Sequence, residues 1–173
     1  MLYQLSYSGA PSAYKTQTCV VLCGNYIGYM EHPKEIGDRT TLAAMLGLKA
    51  AGYALLIPFG ENTRYDLVID DGVALARVQC KTGRLRGGAI VFPVTSTYGH
   101  HRNPATARRT YRGEIDYFAV YCPETTGVYL VPIGDVCTRA SAALRVASAR
   151  NGQERRIRHA GGYEIARVPV TSG

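Results

Sequence analysis

Tryptophan is absent from this chain and phenylalanine occurs only three times, so most of the aromatic surface falls to 13 tyrosines. Cysteine pairs at C-x-x-C spacing are missing too. The five cysteines, Cys19, Cys23, Cys80, Cys122 and Cys137, are odd in number and scattered. That argues against a disulfide framework or a zinc site and for reduced thiols in a cytoplasmic protein. Cys80 and Cys122 stand in strand-like runs and read as small core residues. No apolar run reaches the length of a membrane span. No basic stretch leads into a sustained apolar core at the N-terminus, so no signal peptide is expected. Internal repeats and low-complexity tracts are also lacking. What remains is ordinary folded composition, 46% hydrophobic and 19% charged over 173 residues, enough for one domain with a real core.

Acid is the most informative local absence. From Gln79 to Arg112 there is no Asp or Glu, while the stretch holds Lys81, Arg84, Arg86, Arg102, Arg108, Arg109 and Arg112. Between Arg139 and Arg158 six arginines meet one glutamate. The net charge is +7. A basic balance distributed this unevenly suits a phosphate-binding face, with nucleic acid as first partner and an anionic membrane surface as second. The plainer alternative is a solvated basic surface.

Residues 1–29 differ from the rest, with one Lys and no acid. They read either as a disordered or loosely docked extension, or as sequence outside the native protein, whose start would then be Met30. Residues 30–173 read as a single domain. A helix is expected from about Asp38, as cap or first-turn residue, to Ala51, with Leu42, Met45, Leu46 and Lys49 at helical spacing and Gly52 as its stop. Strands are expected in YALLIPF, in the hairpin LVID-DG-VALARVQCK, in GAIVFPVTS, and in a second hairpin of DYFAVYC and GVYLVPI. YGHHRNPATARRTYR reads as a basic loop. A short helix near Arg139–Val146 and a last strand near Tyr163–Val168 complete an α/β (α+β) arrangement with a mixed central sheet flanked by helices.

The first hairpin carries the chemistry. Strand side chains alternate, so Leu75, Arg77, Gln79 and Lys81 share one face, and Ala74, Ala76, Val78 and Cys80 share the other. A two-residue turn at Asp71-Gly72 would set Asp66 opposite Arg77 and diagonal to Gln79; a register two residues away would set it directly opposite Gln79. In either case a carboxylate and an amide oxygen converge, with Lys81 nearby. Mg²⁺ takes hard oxygen ligands and retains waters. Asp66, Gln79 and the carbonyl of Cys80 form such a set, and a lysine beside it offsets charge on a reacting phosphate. A half-exposed strand with a polar wet face is the alternative.

The run PFGENTRYDLVIDDG with LARVQCKTGRLR resembles the PD-(D/E)xK nuclease superfamily, and within it the small branch of group I intron-associated endonucleases. GDRTTLAAML, YRGEIDYFAVYCPET and GVYLVPIGDV extend the likeness over about Met30 to Tyr163. The resemblance implies a restriction-endonuclease-like core, hydrolysis of DNA phosphodiesters, and a Mg²⁺ cofactor with Mn²⁺ as substitute. By matching position it makes Asp66 the metal-binding acid, Lys81 the motif lysine, and Gln79 the occupant of a place that usually holds Asp or Glu. A first-helix Glu common in the superfamily would fall at Thr41. Asp38, one turn earlier on roughly the same face, or Glu35, would have to substitute.

Around this constellation Arg77, Arg84, Arg86, Arg108, Arg109 and Arg112 are candidate phosphate contacts, which position DNA without reading its sequence. Arg77 has a second option, a pair with Asp70. His100-His101, Tyr98 and Tyr111 are further candidates for DNA contact, against solvent or packing roles. Glu114 and Asp116, expected on alternating strand positions, either join the site or face solvent. One site of this size cuts one strand, so double-strand cleavage implies a homodimer or a higher symmetric assembly on double-stranded DNA. Intron homing, defence and junction resolution are the roles open to such an enzyme. A catalytically impaired DNA-binding protein on the same core is the alternative, favoured by neutral residues at 41 and 79.

Overall fold

A computed structural model describes residues 32–60, 62–97, 108–136, 138, 140–147 and 157–168. The expectations for residues 1–29, Tyr98, His100, His101, Cys137 and Arg139 lie outside that range.

Helix α1 spans Pro33–Ala50. His32 caps it with extended backbone, its Nδ1 accepting the Lys34 N–H at 3.3 Å. Pro33 opens the helix, where a missing N–H costs nothing. The helix thus begins ahead of Asp38, which lies in its second turn and not at its cap. At the other end Gly52 adopts φ +99°. Its N–H reaches the Lys49 carbonyl at 3.1 Å and the Tyr53 N–H reaches that of Leu48 at 3.2 Å, the double closure of a Schellman motif. The inward face is small: Thr40, Ala43, Ala44 and Gly47, with Leu48 the one large member. Leu42 and Leu46 point outward, 67% and 59% exposed, so the spaced leucines do not form the packing stripe.

Among the described residues eleven strands follow: β1 Ala54–Leu56, β2 Leu67–Asp70, β3 Leu75–Thr82, β4 Arg84–Arg86, β5 Ala89–Pro93, β6 Thr95–Thr97, β7 Arg108–Thr110, β8 Tyr117–Cys122, β9 Gly127–Pro132, β10 Ser141–Arg145 and β11 Glu164–Arg167. Six make a mixed sheet in the order β1-β2-β3-β8-β9-β11. Only β3 and β8 run parallel, from Val78 beside Tyr117 to Thr82 beside Tyr121. A second sheet has the order β10-β5-β4, and β6 with β7 forms a two-stranded ribbon.

Four expectations are corrected. The segment read as a helix near 139–146 is β10, paired along β5 from Ser141–Pro93 to Arg145–Ala89; alternate burial of Ala142 and Leu144 outweighs the helix propensity of Ala, Leu and Arg. The basic loop ends in a strand, β7. Glu114 sits in a turn closed by its own N–H on the Tyr111 carbonyl at 3.0 Å, before the strand begins. Among the described residues α1 is the one α-helix beside two single-turn 3₁₀ segments, so the sheet is flanked by one helix where several were expected.

The mixed sheet buries both faces. Leu67, Ile69, Val78, Cys80 and Ala119 pack on Ala44 and Leu48 of α1, and Tyr121 and Val128 on Ala43. The opposite face presents Phe118, Val120, Cys122, Tyr129 and Val131 to Ile90, Phe92, Ala142 and Leu144 of the second sheet. Cys80 and Cys122 are buried free thiols, as their strand context suggested.

Candidate active site

The β2–β3 hairpin is wider at its turn than Asp71-Gly72 alone implies. Asp70 pairs with Leu75 and Leu67 with Val78, leaving Asp71–Ala74 as a four-residue loop. Asp71 builds it, with Oδ1 accepting the N–H groups of both Val73 and Ala74 at 2.8 Å. These two hydrogen bonds hold the Asp71 carboxyl below its ordinary range. The register is therefore the alternative one: a step beyond Leu67–Val78, Asp66 meets Gln79. Gln79 Nε2 donates to Asp66 Oδ2 at 2.5 Å and the Cys80 N–H donates to the same oxygen at 2.7 Å.

A cleft of about 430 Å³ opens beside this pair, lined by Lys34, Asp38 and Thr41 of α1, Asp66, Gln79, Cys80, Lys81 and Pro93, among others. Asp38 and Thr41 share it as one face of the helix, with the Thr41 hydroxyl donating to the Gly37 carbonyl at 3.1 Å. Glu35 does not line it. Lys34 was missed by sequence reading, since only the early helix start brings it to the cleft mouth. Burial raises the Asp66 carboxyl above its ordinary range; the Cys80 N–H, the Lys81 charge and the Gln79 amide each oppose that shift. Burial likewise pushes the Cys80 thiol up, so its carbonyl, and not its sulfur, is the donor on offer. Lys81 Nζ donates to the Tyr111 hydroxyl at 2.9 Å.

Among the described residues no three His, Cys, Asp or Glu side chains stand close enough to hold a metal ion together. The oxygens on offer are the Asp66 carboxylate and the Cys80 carbonyl, which lie 2.5 and 3.4 Å from Gln79 Nε2, and the Gln79 amide oxygen, with Asp38 lining the same cleft. This is a hard-oxygen set with room for water, and it fits a hydrated divalent cation of the Mg²⁺ type. Its low charge suits weak binding.

The arginines separate into groups. Arg77 is engaged by Asp116, with Nε to Oδ2 at 3.2 Å and its N–H to the same oxygen at 2.7 Å; the expected partner Asp70 instead accepts the Gly72 N–H. The Arg77 guanidinium holds the Asp116 carboxyl below its ordinary range. Arg109 pairs with Glu114, which also accepts from Arg64 Nε at 2.6 Å and is likewise held below its ordinary range, chiefly by Arg64. Neither Glu114 nor Asp116 lines the cleft. Arg112 donates to the Val136 carbonyl at 3.2 Å. Arg86 is exposed. The side chain of Arg108 lies outside the described residues. Arg84 stands 3.7 Å from Glu124 and, with Arg39, Thr40 and Tyr121, lines a second hollow of about 80 Å³. Thr40 borders both hollows and hydrogen-bonds Thr82 at 2.6 Å.

A family model for PD-(D/E)XK endonucleases matches residues 31–166. The chain belongs to this endonuclease family. Among solved structures it is similar to the bacterial homing endonuclease I-Ssp6803I, at 27% identity and a TM-score of 0.63, over 78% of this chain and 89% of that one. No curated protein matches. The fold and the homing-type likeness read from RYDL and VQCKTG therefore stand. Among the described residues no helix is long and apolar enough to cross a membrane.

Proposed function

We propose that this PD-(D/E)XK chain hydrolyses DNA phosphodiesters with a divalent cation, at the cleft between the start of α1 and the β2–β3 hairpin, in an intron-homing or related role. The observation that carries the reading is the convergence of Asp66, Gln79 and Lys81 in one open cleft, where the Gln79 amide and the Cys80 N–H both donate to Asp66 Oδ2. Asp66, Gln79 and the Cys80 carbonyl would hold Mg²⁺, or Mn²⁺ in its place, with Asp38 reaching it through water. The bound ion would supply Lewis-acid stabilisation of the phosphoryl group and a more acidic attacking water.

The remaining work belongs to the chain. Lys81 offsets negative charge as the phosphate becomes five-coordinate. Lys34 adds a second cation at the cleft mouth. Arg84, 3.7 Å from Glu124 and partly exposed, and Arg39 line a neighbouring hollow that would cradle a backbone phosphate, and exposed Arg86 extends the positive path. Arg77, Arg109 and Arg112 have protein partners and contribute chiefly to building the domain. Cleavage of both strands would take two copies of the chain on one duplex.

Neutral Thr41 and Gln79 favour a second reading, a DNA-binding protein that has lost cleavage. Supercoiled plasmid and a pool of duplexes, incubated with Mg²⁺, with Mn²⁺ and with chelator, separate the two. The nuclease reading expects metal-dependent nicking that Asp66→Ala and Lys81→Ala abolish. Tight binding in either metal without nicking, unchanged by both substitutions, would overturn it.

A further inference from the structure

Tyr111 touches the motif lysine, and everything about it except its hydroxyl is already fixed by other contacts. Its carbonyl accepts the N–H groups of Glu114 and Ile115 at 3.0 and 3.2 Å, which pins the backbone in a turn. Its ring meets Phe118 edge-on, with centroids 5.6 Å apart and planes at 89°, and is 3% exposed. The Arg64 guanidinium lies 4.3 Å from the ring centroid. Arg64 is itself held through every guanidinium nitrogen: Nε to Glu114 at 2.6 Å, one terminal nitrogen to Ser96 at 2.8 Å, the other to the Thr110 carbonyl at 3.0 Å.

The hydroxyl is left to accept from Lys81. Nζ is 2.9 Å from that oxygen but 4.7 Å from the ring centroid, so the hydrogen bond, and not the ring face, governs the contact. A lysine side chain is otherwise loose, with up to about 2 kcal/mol of rotamer entropy to lose on ordering.

We infer that Tyr111 is the positioning residue for Lys81: its hydroxyl takes one of the three ammonium protons and leaves the other two directed at the cleft, where a phosphate oxygen or the attacking water would sit. The assignment rests on the nuclease reading for its catalytic consequence, but the anchoring of the lysine stands apart from it. Thirty residues separate Tyr111 from Lys81, with the β6–β7 ribbon between them, so no local motif announces the pair.

Tyr111→Phe keeps the ring, its packing on Phe118 and its stacking against Arg64, and removes the acceptor alone. The first readout is the lysine side-chain ¹H–¹⁵N correlation of the whole chain at low temperature, with Lys81→Gln used to assign the signal. A protected Lys81 ammonium signal is expected in the unsubstituted protein and should vanish in Tyr111→Phe. The second is single-turnover cleavage of nicked-plasmid precursor. Tyr111→Phe should slow it about tenfold to a hundredfold, the scale of a hydrogen bond to a charged group, with DNA affinity and thermal midpoint unchanged. Tyr111→Phe combined with Lys81→Gln should cleave no more slowly than Lys81→Gln alone. A Lys81 signal that persists in Tyr111→Phe overturns the inference whatever the rate, and so does an unchanged rate or a multiplicative double variant. A chain that cleaves nothing refutes the nuclease reading, while the ammonium signal still decides whether Tyr111 anchors Lys81.

Discussion

Gln79 and Asp66 are joined by a 2.5 Å hydrogen bond in which the amide donates to a carboxylate oxygen that also accepts the Cys80 N–H. An amide can offer its nitrogen to the acid and its oxygen to a cation at once, which a second carboxylate cannot do. Gln79→Glu would place two acids in direct contact, and one must hold a proton unless a cation lies between them. In chelator at mildly alkaline pH this variant should be less stable by about 1–3 kcal/mol, and Mg²⁺ or Mn²⁺ should raise its thermal midpoint more than that of the unsubstituted chain. Denaturant and thermal melts with and without metal measure both. Equal stability and no extra response to metal would sink the idea that Gln79 faces the ion.

On the nuclease reading, Asp66 should set an acid limit on cleavage. Burial is the largest influence on it and raises its carboxyl above 3.8. The folded chain then binds more protons than the unfolded one between that ordinary value and the raised one, so this group's contribution to stability falls as pH rises through that window. Above it, the buried charge is a standing cost. Asp66→Asn should therefore melt at a higher temperature than the parent near neutral pH, with the gap closing in acid, while cleavage is lost. For the parent, the acid limb of the cleavage profile should lie above the ordinary carboxylate range and move to lower pH as Mg²⁺ increases, because the ion displaces the proton. A limb indifferent to Mg²⁺ would separate Asp66 from the metal.

Two glycines of α1 should answer the same substitution with opposite signs. At Gly37 an added Cβ meets nothing within 4 Å, so Gly37→Ala should gain about 0.5–1 kcal/mol from helix propensity. At Gly47 it would lie 2.8 Å from one methyl of Val128 and 3.0 Å from its Cβ. Gly47→Ala should instead lose about 1–3 kcal/mol, because the helix must lift off β9. Urea unfolding of the pair decides it; a stabilised Gly47→Ala would show that α1 is free to shift.

The sheet and the motif residues were legible because they follow period two. Val78 and Cys80 point inward and Gln79 and Lys81 toward the cleft, as alternation requires. The register was not legible. Asp71 widens the turn by bonding two backbone N–H groups, and an Asp-Gly dipeptide does not distinguish that from a tight hairpin. The helix start was hidden for a similar reason: His32 is an uncommon cap, and the acidic residue that resembled one, Asp38, sits inside. The outward leucines at 42 and 46 show a periodic stripe displaced by close approach, since only small residues fit against Val128. Lys34 and Tyr111 reach Lys81's surroundings through tertiary contacts that no spacing encodes.

The parallel pairing of β3 with β8 sets when the site can exist. Antiparallel neighbours can form as soon as a turn is made, but a parallel partner must wait for the chain to travel out and return. Here that journey runs through β4 to β7 and past Tyr111 before Tyr117 reaches Val78. A ribosome that has delivered Asp66, Gln79 and Lys81 has therefore delivered a hairpin and not yet a cutting edge. The strand that carries the lysine gains its parallel neighbour only when β8 closes the gap. A truncated product ending before β8 would carry the motif residues without the strand that lies beside them.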